Sequence, residues 1–359
     1  MTYVGTASLS TLVTIRTSST GLPIRPEDFD TATTEQLANL DEKVKKERRD
    51  TRPDNTDKGY KGDWREWERF TGTFGLPVLA VRSGTLAAFA RWLWDGRPHD
   101  PRASTKLIAP TTIDRRLSGV VATARGEHNL TLPRDIAADA RTLLARWVKE
   151  MERSGEKRGR KKAPALLIEH MKAISAILPD NLAGLRDRAL MCMQFAVAGR
   201  EHEIAFTRER DFADQDKGIL VDLRVSKVSP RAVPVTFAKD PDICPVRTYR
   251  AWRLAAGTHL EPDGFAFRRL NSRWHTLTPH GLSPEAVGDV IVRISAKADL
   301  GVQHTGHSAR RGLATESRRA GNDMRVIAEQ GGWKPHSRVL AEYLAIVDMW
   351  EDNALADVM

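Results

Sequence analysis

Along the chain from residue 34 to about residue 210, apolar side chains return every three to four positions, the period of helices with one buried face. The pattern predicts a first helix over 34–49. A second runs through "YKGDWREWERFTGTFG", where Tyr60, Trp64, Trp67 and Phe70 form a stripe that reads as core rather than as a ligand platform. Three more starts are marked by Ser83 ahead of "GTLAAFARWLW", the Thr111 and Thr112 pair ahead of "IDRRLSGVVATA", and Pro133 opening "RDIAADARTLLARWVKEM". Hydroxyls cap free N–H groups, and proline fits a first turn. This helical unit closes near Met151. "ERSGEKRGRKKAPA" then mixes Gly, Pro and cations without an apolar period, the composition of a linker over 152–165. Helices are predicted again over 166–178 and 185–198. The period changes to two in "GILVDLRVSKVSPRAVPVTFA", which predicts a β-hairpin with Lys227 near its turn. From "CPVRTYRAWRLAAG" onward the pattern is mainly helical. The expected fold class is mainly α with a small β-hairpin in the second of two domains, 33–151 and 166–359.

Composition sharpens this picture at two points. The 359 residues carry a formal net charge of +9 and a pI near 9.7, so the partner to look for is a polyanion: each Lys or Arg seated on a phosphate releases condensed counterions. Dense cationic spots lie at "KVKKERRDTR" and "KRGRKK". No apolar run approaches the roughly 20 residues that cross a bilayer, which points to a soluble, cytoplasmic protein. The two cysteines, Cys192 and Cys244, have no ligand spacing and read as reduced thiols. Residues 1–32, rich in Ser and Thr and without an acidic residue until Glu27, read as a flexible tail.

The densest chemistry lies in "GHSARRGLATESRRAGNDMRVIAEQGGWKPHSRVLAEY". A helix is predicted over 308–320 and broken by Gly321, a second is capped by Asp323 and runs through Gln330, and a third carries Tyr343. His307 and Arg310 stand three apart and share a face. Two plain readings compete here. Two helices around a glycine turn suit a helix-turn-helix DNA reader, and Tyr343 lies on the stripe of Val339, Leu340, Leu344 and Val347, where a core tyrosine belongs. Taken together, a phenol, an imidazole, an indole and guanidinium groups are the parts needed for transesterification at a phosphodiester, and no metal-ligand cluster is visible to replace them.

The same run resembles the C-terminal signature of the tyrosine recombinases, also called phage integrases, and within them the Cre-like members. These share "HSAR", the following "RAG", and "GGW" with tryptophan where most relatives carry a second histidine. The resemblance extends over about 165–350. The family pattern places an earlier arginine and carboxylate on "AVAGREHEIAF" (Arg200 and Glu203), then a lysine in a hairpin ahead of Cys244-Pro245-Val246 (Lys227). It implies a catalytic set of Arg200, Lys227, His307, Arg310, Trp333 and Tyr343, with Glu203 in support. Tyr343 would attack the scissile phosphate to form a 3′-phosphotyrosyl link, and Arg200 and Arg310 would hold the nonbridging oxygens. His307 would handle the phenol proton or bind phosphate, Trp333 would donate its indole N–H, and Lys227 would protonate the leaving 5′-oxygen, with Arg231 and Lys217 the alternative cations.

The resemblance further implies a helical core-binding domain over 33–151, a double-stranded DNA partner with an inverted-repeat site, and strand exchange through a Holliday junction. A dimer on each site, a tetramer in the synapse, and no metal, ATP or other cofactor are implied with it. The tail before residue 33 is too short for a separate arm-binding domain. In "DMWEDNALADVM", Trp350, Leu355 and Val358 would cover a neighbouring protomer or pack in cis. One departure stands out: Tyr343 lies ten positions after Trp333, one more than the Cre-like spacing, with His336 in the interval. A topoisomerase IB-like enzyme and a catalytically silent DNA-binding protein are the alternative readings.

Overall fold

The computed structural model describes residues 26, 29–50, 54–159, 162–226, 229–271, 276–334 and 336–351. Lys227, nearly all of the N-terminal tail, and the C-terminal positions Leu355 and Val358 lie outside the described residues, as does the side chain of Trp350. The chain divides into two units, Met1–Arg160 and Lys161–Met359.

In the first unit, α1 (Thr31–Asp50), α2 (Asp54–Thr73), α3 (Ser83–Trp94), α4 (Pro110–Gly126) and α5 (Ala138–Arg153) are all helical. The stripe of α2 is core: Trp64, Trp67 and Phe70 are buried, and Trp67 meets Phe89 of α3 edge-on at 5.3 Å. Helix α2 packs on α4, and α3 packs on α5. Three helix starts differ from the sequence expectation. Ser83 is the first residue of α3 rather than its cap, because its hydroxyl is taken by Asp139 of α5, and Thr85 Oγ1 instead accepts the Arg82 N–H at 2.9 Å. Helix α4 opens at Pro110 itself, where a missing N–H costs nothing. Helix α5 begins five residues after Pro133, because three-residue turns from Ile136 N–H to Pro133 O and from Ala138 N–H to Asp135 O come first.

The second unit contains α6 (Ile168–Ile177), α7 (Leu182–Ala196), α8 (Glu201–Ala205), β1 (Phe212–Gln215), β2 (Gly218–Leu223), β3 (Arg231–Thr236), α9 (Pro245–Ala256), β4 (Arg268–Leu270), β5 (Leu277–Gly281), α10 (Pro284–Lys297), α11 (Ser308–Arg319), α12 (Met324–Gly331) and α13 (Arg338–Glu351). Helix α7 runs through the middle, buried from Ala189 through Phe195 and packed on α9. The predicted hairpin is β2–β3, antiparallel with Val221 opposite Val233 and Ile219 opposite Val235, so the buried faces coincide. Two features go beyond the expectation. Strand β1 adds an edge that makes the sheet three-stranded, and β4 pairs with β5 in a stretch expected to be helical. Those two strands have three and five residues, too few to display a period. Pro234 is tolerated because β3 is an edge strand, where a missing N–H need not break the ladder. Both cysteines are free and buried, and burial pushes the Cys192 thiol up to about 12, as suits a packing residue. Among the described residues no helix is long and apolar enough to cross a membrane, and no group of three or more His, Cys, Asp or Glu could hold a metal ion.

Candidate active site

Four segments distant in sequence meet in the second unit. The first is the bend after α7. Ala198 has φ +45°, a left-handed conformation that strains a residue with a Cβ, and its carbonyl accepts a hydrogen bond from Arg310. Arg200 then caps α8 with an extended backbone, placing Glu203 one turn on.

Glu203 is the hub of the second segment. Its side chain is buried and accepts from the Arg200 backbone N–H (3.0 Å), Arg200 Nη1 (2.7 Å), Ser226 Oγ (2.8 Å), Arg231 Nη1 (3.1 Å) and Arg231 Nη2 (3.0 Å). Burial by itself would raise this carboxyl, but the hydrogen bonds from Arg231, the Arg200 N–H and Ser226 outweigh it and hold it at about 2. Arg231, the first residue of β3, also donates to Val197 O at 3.1 Å. Lys217 occupies the β1–β2 turn, at the opposite end of β2 from Arg231, away from this hub.

The third segment is α11. His307 is its N-cap, more than half exposed, with Nδ1 2.7 Å from Glu201 Oε1. That bond raises the imidazole above its ordinary value against burial and the nearby Arg310 and Arg200. One turn on, Arg310 is only 3% exposed. Its Nη1 donates to Ala198 O and, at 2.7 Å, to Gly331 O, while its Nη2 is buried without a hydrogen-bond partner among the described residues. Burial first, and then the charge of Arg200, push this guanidinium down to about 9.

The fourth segment is the turn from α12 into α13. Gly332 has φ +60°, and a Cβ there would lie 2.8 Å from Arg231 Cδ, so both the left-handed turn and the approach of β3 call for glycine. The turn lays the Trp333 ring under Arg310, with the guanidinium carbon 3.9 Å from the centroid. Tyr343, half-buried on α13, meets Trp333 edge-on at 6.2 Å and has the Arg311 guanidinium 5.5 Å from its ring centroid. Val339 is exposed rather than part of the buried stripe, which consists of Leu340, Leu344 and Val347. His336, in the interval between Trp333 and Tyr343, has φ +58°.

The structure therefore gathers Arg200, Glu203, His307, Arg310, Trp333 and Tyr343 around one spot, with Lys227 outside the described residues. The sequence reading did not single out Glu201 or Gln194. The buried Gln194 donates to Gly306 O at 2.9 Å and Gly199 O at 3.3 Å, fastening the Arg200 segment to the His307 segment.

No protein-family model matches the chain. An integrase/recombinase xerD homolog of Selenomonas ruminantium is 27% identical over 320 residues, covering 87% of this chain and 88% of that protein. A lambda integrase dimer bound to a COC′ core site shares the fold at a TM-score of 0.52 and 14% identity, over 88% of this chain and 81% of that one. The Tn1549 transposon integrase in complex with transposon right end DNA does so at 0.54 and 13%, over 85% and 96%. The chain shares with both neighbours a fold that here is mostly helical with small antiparallel sheets.

Proposed function

We propose that this chain is a site-specific DNA recombinase that cleaves and rejoins double-stranded DNA through a 3′-phosphotyrosyl intermediate, exchanging strands via a Holliday junction. The observation that carries the reading is the Nη2 of buried Arg310, unpartnered among the described residues, flanked by Arg200 and Arg231 and set beside Tyr343. A desolvated guanidinium short of one acceptor among like charges is an anion site waiting for its anion. In this reading Tyr343 attacks the phosphorus, and Arg200 and Arg310 hold the nonbridging oxygens with forked donors that lysine cannot match. Trp333 orients Arg310 through its ring face and buttresses the tyrosine helix through its edge. Lys227 protonates the departing 5′-oxygen. The phosphotyrosyl link conserves the bond energy, so rejoining needs no ATP.

The helical unit before residue 152 is the core-binding domain in this proposal, and the C-terminal segment contacts a neighbouring protomer. The xerD homolog supports the recombinase reading by sequence, and "GGW" with "HSAR" supports a Cre-like reading within it. The lambda integrase neighbour is a dimer on its core site; we carry a dimer on each inverted-repeat site, and a tetramer in the synapse, to this chain. The test is a nicked suicide duplex built from sequences that the protein selects out of a random library. Wild type should accumulate a covalent adduct that protease, but not salt, removes, and Tyr343→Phe should bind equally and form none. An adduct that persists in Tyr343→Phe would dismiss the nucleophile.

A further inference from the structure

We infer that Glu201 is a positioning residue that acts through His307, gripping the imidazole by Nδ1 so that Nε2 is the nitrogen presented to the Tyr343 phenol. The inference rests on the reading of the site as a phosphoryl-transfer centre. Glu201 is the first residue of α8, directly after Arg200, so one helix start supplies the phosphate clamp and the histidine's partner. Its Oε1 lies 2.7 Å from His307 Nδ1, short enough for a charge-assisted bond. The approach is built into the backbone. A Cβ at Gly306 would sit 2.3 Å from Glu201 Oε1, so only glycine before His307 leaves room for the carboxylate. Gln194, fully buried, holds that glycine's carbonyl to the Arg200 segment and keeps the two loops in register.

The charges facing the pair give this arrangement a purpose. Arg310, on the helix that His307 caps, and Arg200, before α8, both disfavour a protonated imidazole, whereas Glu201 favours it and prevails. On the other partner, burial would raise Glu201, but the bond from His307, with His202 also nearby, keeps it low. Without Glu201, two guanidinium groups would leave His307 a weak base.

In the step, neutral His307 carries its proton on Nδ1. The phenol O–H bond of Tyr343 breaks, the proton passes to Nε2, and the phenolate oxygen forms the new O–P bond as the 5′-oxygen departs with a proton from the general acid. Glu201 stabilises the imidazolium so formed, the role a carboxylate behind an imidazole plays in hydrolytic triads. Rejoining returns the proton by the reverse path.

The test titrates His307 by NMR in wild type, Glu201→Gln and Glu201→Ala, and measures the adduct-forming rate of each against pH. Glutamine can still accept from Nδ1 but carries no charge. His307 should titrate at lower pH in both variants, and the acidic limb of the cleavage profile should move down with it. Plateau rates should fall less in Glu201→Gln than in Glu201→Ala, and by no more than the roughly 100- to 10,000-fold that positioned proton transfer supplies. Unchanged His307 titration in Glu201→Gln, in a protein whose wild type forms the adduct, overturns the role of Glu201 alone. A wild type that never forms the adduct overturns the phosphoryl-transfer reading, whatever the titration shows.

Discussion

Replacing Glu203 by Gln should cost the second unit about as much stability as a single residue can. The carboxylate accepts five hydrogen bonds, all from donors: two at Oε2 (Arg200 N–H, Arg231 Nη2) and three at Oε1 (Arg200 Nη1, Ser226 Oγ, Arg231 Nη1). Whichever way the glutamine amide turns, its NH₂ group meets donors. The carboxyl is held at about 2 against an ordinary 4.5, and at about 1.4 kcal/mol for each pH unit that difference corresponds to about 3 kcal/mol. Breaking a buried ion pair by removing one charge typically costs about 3–5 kcal/mol, which agrees. Because the folded value lies below the unfolded one, this stabilisation is complete above pH 4.5 and is lost as the pH falls through about 2. Urea denaturation of residues 161–359, resolved by hydrogen exchange, should therefore show a gap of about 3 kcal/mol between wild type and Glu203→Gln at pH 7, narrowing by about 2 kcal/mol at pH 3. A gap under about 1 kcal/mol at pH 7, or one that is equal at both pH values, would refute the reasoning.

Three further outcomes are expected. Arg310→Lys keeps a charge over Trp333 but has one nitrogen where arginine uses Nη1 for Ala198 O and Gly331 O and keeps Nη2 for an anion, so cleavage should fall about 100- to 1000-fold, and a rate near wild type would reduce Arg310 to a DNA-positioning residue. Lys227→Ala should cleave an ordinary phosphodiester slowly yet recover most of its rate on a 5′-phosphorothiolate, whose sulfur leaves without a proton; equal defects on both substrates would move the acid elsewhere. At the left-handed position 336, calorimetry should find His336→Gly more stable than His336→Val by about 1–2 kcal/mol, and equal stabilities would mean that the turn rearranges freely.

What could be seen in the sequence was whatever local spacing encodes. The Trp64–Trp67–Phe70 stripe, the Asp323 cap, which accepts from the Arg325 N–H, and the alternation through Ile219 and Val221 each declare an element within a few residues. The site residues could be named because a long ordered motif carries them. Their supports could not. Glu201 meets a histidine 106 positions away, and Gln194 is a polar residue within the otherwise apolar C-terminal half of its helix. Arg231 looks like one more hairpin cation until Glu203 and Gly332 are seen against it. Such partners arise only when distant segments pack, and no period announces them.

The carboxylate hub also fixes a charge balance. Among the described residues, Arg200, Arg231 and Arg310 bring three positive charges around the single negative charge of Glu203, a surplus of two, while neutral His307 with the Glu201 carboxylate brings one negative charge, leaving a net of one positive charge. A DNA phosphodiester brings one negative charge at rest and two in the pentacoordinate state, when the attacking and leaving oxygens are both bonded to phosphorus. In the proposed reaction intact DNA offsets that net charge, and as the phenol proton passes to His307 the new imidazolium offsets the second negative charge of the phosphorane. Charge is moved rather than added at the moment of transfer, so the transition state is favoured by where the positive charges stand and not by how many there are.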